Sequence, residues 1–247
     1  PPGAPAAAAP AAPLSTPPLV LSTPPTPTAA SAPNLNALAA RALVEELCRA
    51  GVTTFCVAPG SRSSPLALAA ARHPTAAVVR GLDERSLAFY AVGAARGAGG
   101  TAPVAVITTS GSAVANLFPA VMEASATGVP LLLLTADRPA ELRDTGANQT
   151  AIQAGMFGGY VRWGADVPPP CGGAPLRALL STAGEAVARA LGPRPGPVHL
   201  NLQYREPLGP ERVPYRLDPA DAAALEAWWA DPAGAPFTAQ AGGGSAA

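Results

Sequence analysis

Hydrophobic and polar residues alternate along most of the chain with two different spacings. Between residues 36 and 50, small and aliphatic residues recur every three to four positions, which predicts an amphipathic helix that ends at Gly51. Residues 54–58 then form a short apolar run, which is typical of a buried strand. The same exchange repeats downstream and predicts strands at 76–79, 104–108, 130–135 and 198–202 and helices at 64–72, 83–96, 112–127 and 176–191.

This alternation predicts an α/β fold. Apolar strands separated by amphipathic helices form a parallel sheet that is covered by helices on both faces. Residues 136–175 show no such alternation and are predicted to be mostly loop. Because ligands of parallel sheets bind where loops leave the carboxyl ends of the strands, these loops are where functional residues are expected.

The composition changes at both ends of the chain. Residues 1–33 contain no charged residue and 21 of them are Pro or Ala, which predicts a disordered linker; a transit peptide would be rich in Arg. The domain itself is predicted to span residues 34–208. An exit segment with a short helix near 225–229 follows at 209–238, and a disordered tail at 239–247. The chain does not begin with Met, so we expect it to be a piece of a longer protein.

Charge and cysteine content exclude several classes of function. Sixteen Arg balance sixteen acidic residues and there is no Lys, so we expect neither nucleic-acid binding nor a lysine Schiff base. No apolar run reaches the length of a membrane span. The three cysteines lack CxxC spacing and the two histidines lie far apart, so no metal site is predicted in this chain.

Two of the loops after strands carry charged residues, and each has a structural alternative. Residues 59–64 join a strand to a helix N-terminus, where backbone N–H groups and Arg62 would suit an anion, but a tight turn with an exposed arginine is equally compatible. Asp83 and Glu84 begin the next helix. Acidic residues are favourable there in any protein, so a cap and a solvated carboxylate are the plain interpretation.

Two further loops are polar. Residues 108–112 follow an apolar strand, and Gly111 would let the backbone approach a ligand closely, although a plain turn has the same pattern. The loop from Thr135 to Gln149 is unusually long for an apolar chain, and long loops are often functional. Its alternative is a surface excursion with an internal network between Asp137 and Arg138.

Taken in chain order, these loops resemble the N-terminal pyrimidine-binding (Pyr) domain of 2-succinyl-5-enolpyruvyl-6-hydroxy-3-cyclohexene-1-carboxylate (SEPHCHC) synthases. The resemblance covers roughly residues 34–238. It rests on CVAPGSRSS at 56–64, DERSLAF at 83–89, TSGSAVANL at 109–117, LTADRP at 134–139, GANQ at 146–149 and GPVHLN at 196–201. These synthases are thiamine-diphosphate enzymes of menaquinone and phylloquinone biosynthesis, and the motifs resemble most the plant and algal form, which is part of a multifunctional protein.

The resemblance implies a reaction and a set of site residues. Isochorismate would accept a succinyl-semialdehyde unit from 2-oxoglutarate with loss of CO2. Glu84 matches the catalytic glutamate that hydrogen-bonds the aminopyrimidine ring of the cofactor. The other implied cofactor contacts are Pro59, Ser110 and Gly111, and the implied substrate contacts are Ser61, Arg62, Arg138, Asn148 and Gln149.

The resemblance also implies that this chain holds only half of the active site. The Gly-Asp-Gly motif that binds Mg²⁺ in thiamine-diphosphate enzymes is absent, so the metal ligands are expected on a separate diphosphate-binding (PP) domain. A homodimer or higher oligomer would complete the site, and this chain alone would be inactive. The alternatives are an acetolactate-synthase-like carboligase and a non-catalytic assembly module. The expected location is the plastid for a plant or algal protein and the cytoplasm for a bacterial one.

Overall fold

The computed structural model describes residues 31–238, which include the whole predicted domain and the exit segment. Most of the predicted linker and the entire predicted tail lie outside the described residues. Within residues 31–238 the strands are β1 (Thr54–Val57), β2 (Ala77–Arg80), β3 (Val104–Thr108), β4 (Leu131–Asp137), β5 (Trp163–Val167) and β6 (Pro197–Gln203). The helices are α1 (Leu35–Arg49), α2 (Ser64–Arg72), α3 (Glu84–Gly97), α4 (Ser112–Ala115), α5 (Phe118–Thr127), α6 (Leu176–Leu191) and α7 (Pro219–Trp229).

The strands form one sheet in the order β2-β1-β3-β4-β6-β5, and every neighbouring pair is parallel. All residues of β3, β4 and β6 are buried, as expected for strands covered on both faces. The predicted α/β class with a parallel sheet is therefore confirmed.

Two hydrophobic cores lie on opposite faces of this sheet. Successive side chains of a strand point to opposite faces. Leu132 and Leu134 of β4 accordingly pack with α1, α2 and α6, whereas Leu131 and Leu133 pack with α3 and α5. The helices on both faces confirm the predicted layering. Because all the strands are parallel, the loops that lead from strands to helices open at the same edge of the sheet.

Two predictions about individual elements are wrong. Residues 163–167, predicted as loop, form β5, which pairs only with β6 at the edge of the sheet. Its residues are alternately half-buried and exposed and include a glycine and an aspartate, so the apolar signal of a central strand is missing. The single helix predicted at 112–127 is divided into α4 and α5, with the break at Asn116 and Leu117.

The exit segment packs against α1 rather than leaving the domain freely. Trp228 and Trp229 of α7 are buried in a third cluster with Leu38 of α1. The buried carboxylate of Glu46 accepts the backbone N–H of Phe237 at distances of 3.0 and 2.8 Å from its two oxygens. Helix α7 begins six residues earlier than predicted, at Pro219. Among residues 31–238, no helix combines the length and the apolar character that a bilayer span requires.

Candidate active site

The predicted site residues lie at one edge of the sheet because four of its strands end there. Residues 58–63 follow β1, Glu84 follows β2, residues 109–111 follow β3 and Arg138 follows β4. These four strands are consecutive neighbours in the sheet. The parallel topology thus collects loops that are up to 80 residues apart in the sequence along a single row at the carboxyl edge.

Glu84 is the first residue of α3. The preceding Asp83 caps the helix by accepting the backbone N–H of Arg85 at 2.9 Å, and it also pairs with the Arg85 guanidinium. This hydrogen bond and ion pair lower the pKa of Asp83 to about 2. Asp83 therefore satisfies both the helix terminus and the nearest arginine, which leaves the Glu84 carboxylate available for other partners.

The partner of Glu84 within this chain is Asn116. Glu84 is half-buried, and its Oε2 accepts a hydrogen bond from Asn116 Nδ2 at 3.1 Å. Asn116 lies at the break between α4 and α5, so the division of that helix is what presents the amide to the carboxylate. No periodicity in the sequence points to Asn116; the nearby signal of the helix break is Pro119, in the first turn of α5.

The turn after β3 adopts a conformation that requires glycine. Gly111 has a φ of +81°, and a Cβ atom there would lie 2.8 Å from Cγ of Gln149 and 3.2 Å from its backbone oxygen. The side-chain amide nitrogen of Gln149, Nε2, donates to the backbone oxygen of Ser110 at 2.8 Å. Ser110 and Gly111, two of the predicted cofactor residues, are therefore in direct contact with the predicted substrate residue Gln149.

Arg138 joins the same cluster from the end of β4. It is 9% exposed, and its Nη1 donates to Ser110 Oγ and to the backbone oxygen of Gln149, the latter at 2.9 Å. Burial is the largest cause that lowers the pKa of Arg138, and the nearby charge of Arg62 lowers it further. The alternative was a network confined to Asp137 and Arg138. Between these two residues the backbone N–H of Arg138 donates to Asp137 Oδ1 at 2.8 Å, whereas the Arg138 guanidinium binds Ser110 and Gln149 instead.

Arg62 approaches this cluster from the loop after β1. Its Nη1 donates to the backbone oxygen of Tyr204 at 2.9 Å, and its Nη2 lies 3.3 Å from Glu206 Oε1. The buried Nε has no hydrogen-bond partner among the described residues. Two neighbouring guanidinium groups and an unsatisfied donor together make this region suitable for an anionic ligand.

Gly60 brings the loop after β1 against the loop after β3. A Cβ atom at this position would lie 2.2 Å from Cβ of Thr109, so no larger residue fits without movement. Pro59, Ser61 and Asn148 are exposed at the same edge. No hydrogen bond joins the side chain of Ser61 or Asn148 to another residue between 31 and 238, so the structure leaves both available to a ligand.

A buried amide network, which the sequence did not reveal, supports the site. Gln153 is 1% exposed; its Oε1 accepts the N–H of Gly111 at 2.7 Å, and its Nε2 donates to Asn201 Oδ1 at 2.9 Å. Asn201 in turn donates to Asp137 Oδ2 and Asp166 Oδ1, each at 2.8 Å. A single buried glutamine carries no periodicity or motif, so only the folded structure shows that it holds the Gly111 turn.

Metal ligands are not clustered in the described part of the chain. Among residues 31–238 there is no group of three or more His, Cys, Asp or Glu side chains placed to hold a metal ion. Cys56 is buried within β1, where burial raises the pKa of its thiol to about 11, and it acts there as an apolar core residue.

Comparison with known proteins agrees with this geometry. The family described as "Thiamine pyrophosphate enzyme, N-terminal TPP binding domain" matches residues 38–156, which include every predicted site residue. The SEPHCHC synthase of Chlorobaculum parvum is 57% identical over 171 residues, which are 69% of this chain and 29% of that protein. That of Salinibacter ruber is 55% identical over 197 residues, 80% of this chain and 33% of that protein. That of Roseiflexus sp. is 52% identical over 212 residues, 83% of this chain and 35% of that protein.

The chain therefore spans about a third of the length of the curated relatives it matches. The predicted resemblance to SEPHCHC synthases is confirmed over most of the described residues. The fold, the row of loops at the carboxyl edge and the family match lead to the same conclusion: residues 38–156 are similar to the N-terminal TPP-binding domain of thiamine pyrophosphate (thiamine diphosphate) enzymes, in a chain similar in sequence to SEPHCHC synthases.

Proposed function

We propose that this chain supplies the pyrimidine-binding half of a SEPHCHC synthase active site. The whole enzyme would join isochorismate and 2-oxoglutarate with loss of CO2, in menaquinone or phylloquinone biosynthesis. The observation that carries the proposal is the row of loops at the carboxyl edge of the sheet. There, a carboxylate held by an amide follows β2, and two neighbouring arginines follow β1 and β4 of the same sheet.

The residues present fit the aminopyrimidine ring of thiamine diphosphate. Glu84 Oε2 is occupied by Asn116, which leaves the other carboxylate oxygen as an acceptor for a ring N–H. The Gly111 turn, with Gln149 packed against it, lies at the same carboxyl edge of the sheet as Glu84. Thiamine diphosphate, when bound, supplies the carbanion chemistry, and the protein supplies binding and orientation.

Glu84 would act on the cofactor by accepting a hydrogen bond and holding a proton at one carboxylate oxygen. Asn116 orients the carboxylate by donating to Oε2, so the free oxygen has a fixed direction. A fixed carboxylate is a more effective proton acceptor than a mobile one because the geometry of transfer is already set. We propose Glu84 as the catalytic residue of this chain and Asn116 as its positioning residue.

The substrates of the proposed reaction are dicarboxylates, and the site offers matching cations. Arg62 and Arg138 bring two permanent positive charges to one region, and Arg62 retains an unsatisfied buried N–H. We propose that these arginines, with Ser61, Asn148 and Gln149, bind isochorismate. Pro59, Ser110 and Gly111 would face the cofactor.

An exposed hydrophobic surface beside Glu84 supports a shared active site. Leu82, Phe89, Tyr90 and Met122 are 89%, 46%, 52% and 42% exposed, and we call these four residues the apolar patch. They lie on the loop before α3, on α3 and on α5, which pack against each other. We propose that the patch is covered by a PP domain of a second subunit, which would also bring the Mg²⁺ ligands.

Replacement of Glu84 by Gln in the full-length protein tests the proposal. We expect the rate with isochorismate and 2-oxoglutarate to fall by about 10²- to 10⁴-fold, because the amide cannot accept a proton. Circular dichroism should show an unchanged fold, since Glu84 is half-buried and the substitution is nearly isosteric. Glu123→Gln on the exposed side of α5 is the matched control and should retain the full rate.

A normal rate for Glu84→Gln would contradict the role of Glu84. The same assay distinguishes the remaining alternatives. An acetolactate-synthase-like carboligase would instead turn over pyruvate, and an assembly module would turn over neither substrate set. The location of the protein, plastid or cytoplasm, stays a prediction that depends on its source.

A further inference from the structure

A cavity of about 330 Å³ lies between α1, α2 and the segment that follows β6. Its lining shares no residue with the candidate active site. The volume lies in the range of pockets that bind small molecules in proteins. We call it the α1–α2 cavity.

The walls of the α1–α2 cavity are mostly apolar. Leu68 and Ala69 of α2 line one side, and Leu208 and the aromatic ring of Trp229 line another. An apolar wall with a few charged groups is the usual composition of a small-molecule site, because burial of the ligand supplies affinity and the charges supply orientation.

The acidic group at the cavity is already compensated. Glu45 Oε1 accepts from Arg49 Nε at 2.6 Å, and Glu45 Oε2 lies 3.0 Å from His73 Nε2. The N–H of Thr75 donates to His73 Nδ1 at 3.3 Å, which places the ring proton on Nε2, where it is donated to Glu45. The hydrogen bond from His73 is the largest cause that lowers the pKa of Glu45, so this carboxylate stays ionised and occupied.

The basic groups at the cavity are not compensated in the same way. Arg41 is half-buried, donates to Ser31 Oγ at 3.2 Å and lies with its guanidinium 5.9 Å from the centre of the Trp229 ring. Burial is the largest cause that lowers the pKa of Arg41, and the charge of Arg72 lowers it as well, whereas Tyr215 and Glu45 raise it. Arg72 is exposed at the rim, and no hydrogen bond or ion pair joins it to another residue within 31–238. Two cations therefore face one apolar cavity.

We propose that the α1–α2 cavity binds a small aromatic carboxylate. The ring would lie among Leu68, Ala69 and Trp229, and the carboxylate would lie between Arg41 and Arg72. An anion there relieves the repulsion between the two guanidinium groups and accepts planar, charge-assisted hydrogen bonds. The site is independent of the proposed function, since no active-site residue lines it.

Binding of cinnamate to the 247-residue chain tests this proposal, with neutral cinnamamide as the matched probe. Saturation-transfer NMR and calorimetric titration, without thiamine diphosphate, should show binding of cinnamate and at least about tenfold weaker binding of the amide. Arg72→Gln should weaken cinnamate binding by about tenfold or more. Because Arg72 is exposed, this variant is expected to fold normally. Arg41→Gln should have a similar effect, and Leu68→Trp should reduce binding by filling the cavity.

Arg96→Gln is the control for general loss of positive charge, because Arg96 lies on α3, on the opposite face of the sheet. It should bind cinnamate as the unaltered chain does. The proposal is overturned if cinnamate does not bind at millimolar concentration, if cinnamamide binds equally well, or if Arg72→Gln binds cinnamate with unchanged affinity. None of these outcomes bears on catalysis, so they are distinguishable from failure of the Glu84 test.

Discussion

At the scale of single residues, the two arginines of the site are held differently. Arg138 is fixed by Ser110 and Gln149, whereas the polar partners of Arg62 among residues 31–238 are a backbone oxygen and the exposed Glu206. Removal of Arg138 would therefore disturb the Gly111 turn together with the proposed substrate site. Removal of Arg62 leaves that turn intact, and so Arg62 is the better probe of substrate binding.

We predict that Arg62→Ala in the full-length enzyme raises KM for isochorismate by about tenfold or more with a smaller change in kcat. One charge-assisted contact to a carboxylate is worth this much. KM for 2-oxoglutarate should change less. Steady-state kinetics with each substrate varied in turn will measure the effect, and an unaltered KM for isochorismate would count against the assignment.

Two glycines of the same chain permit a matched comparison of local strain. A Cβ atom at Gly60 would lie 2.2 Å from Cβ of Thr109, whereas one at Gly93 on α3 would meet no atom within 4 Å. We predict that Gly60→Ala lowers the free energy of unfolding by about 1–3 kcal/mol, because the two loops are forced apart. Gly93→Ala should raise it by about 0.5–1 kcal/mol, because alanine favours the helix. Urea denaturation of both variants tests the pair, and equal stabilities would contradict the packing of Gly60.

At the scale of single elements, β6 carries a buried histidine beside the active-site network. His199 is 3% exposed, and its Nε2 lies 2.7 Å from Thr135 Oγ1 of β4. Its ring also makes an edge contact with Phe157, with centroids 4.8 Å apart. Burial lowers the pKa of His199 from 6.5 to about 4, so the folded protein holds this side chain neutral at physiological pH.

This burial predicts a loss of stability in mild acid. Between pH 6.5 and 4 the unfolded chain binds a proton at His199 that the folded chain does not, so stability falls as the pH falls through this window. The contribution is on the order of 3 kcal/mol and is complete below pH 4.

The measurement is urea denaturation at several pH values for the unaltered chain and for His199→Gln. The difference in unfolding free energy between the two should shift in favour of the variant as the pH is lowered from 7 to 4. A difference that is independent of pH would contradict a neutral, buried His199. Groups such as Asp137, whose pKa burial raises, are common to both proteins and cancel in this difference.

At the scale of the whole molecule, the apolar patch is the surface where we propose that a second subunit binds. Four large hydrophobic side chains exposed on neighbouring elements are unfavourable in contact with water, and such surfaces typically mark protein interfaces. Their position on and near α3, the helix that begins with Glu84, would place the proposed subunit contact next to the proposed catalytic residue.

We predict that Phe89→Glu in the full-length protein weakens self-association by at least about tenfold and lowers activity at low protein concentration. A charge buried in an apolar interface is costly to desolvate. Val213→Glu is the matched control, because Val213 is 44% exposed, much as Phe89 is, but lies in the exit segment. Sedimentation velocity will measure both variants. The same oligomer distribution for Phe89→Glu as for the unaltered enzyme would contradict the assignment of the patch.

The sequence predicted much of the fold but less of the site. The central strands contain runs of apolar residues, so β1, β3, β4 and β6 were found with small errors at their ends. The edge strand β5 was missed because its sequence includes a glycine and an aspartate and so lacks the apolar run that marks the other edge strand, β2. The helix break at Asn116 was missed although Pro119, in the first turn of α5, is typical of the start of a new helix.

What the sequence by itself determined is the type of each central element, the parallel sheet and the loops in which charged residues follow strands. These are properties of neighbouring residues, since the spacing of apolar side chains depends only on the local backbone period. Tertiary structure alone decided that Asn116 meets Glu84, that Gln153 holds the Gly111 turn, and that Arg62 approaches Arg138. These contacts join residues 32 to 76 positions apart. Such contacts are fixed by how strands and helices pack together, which no local pattern encodes.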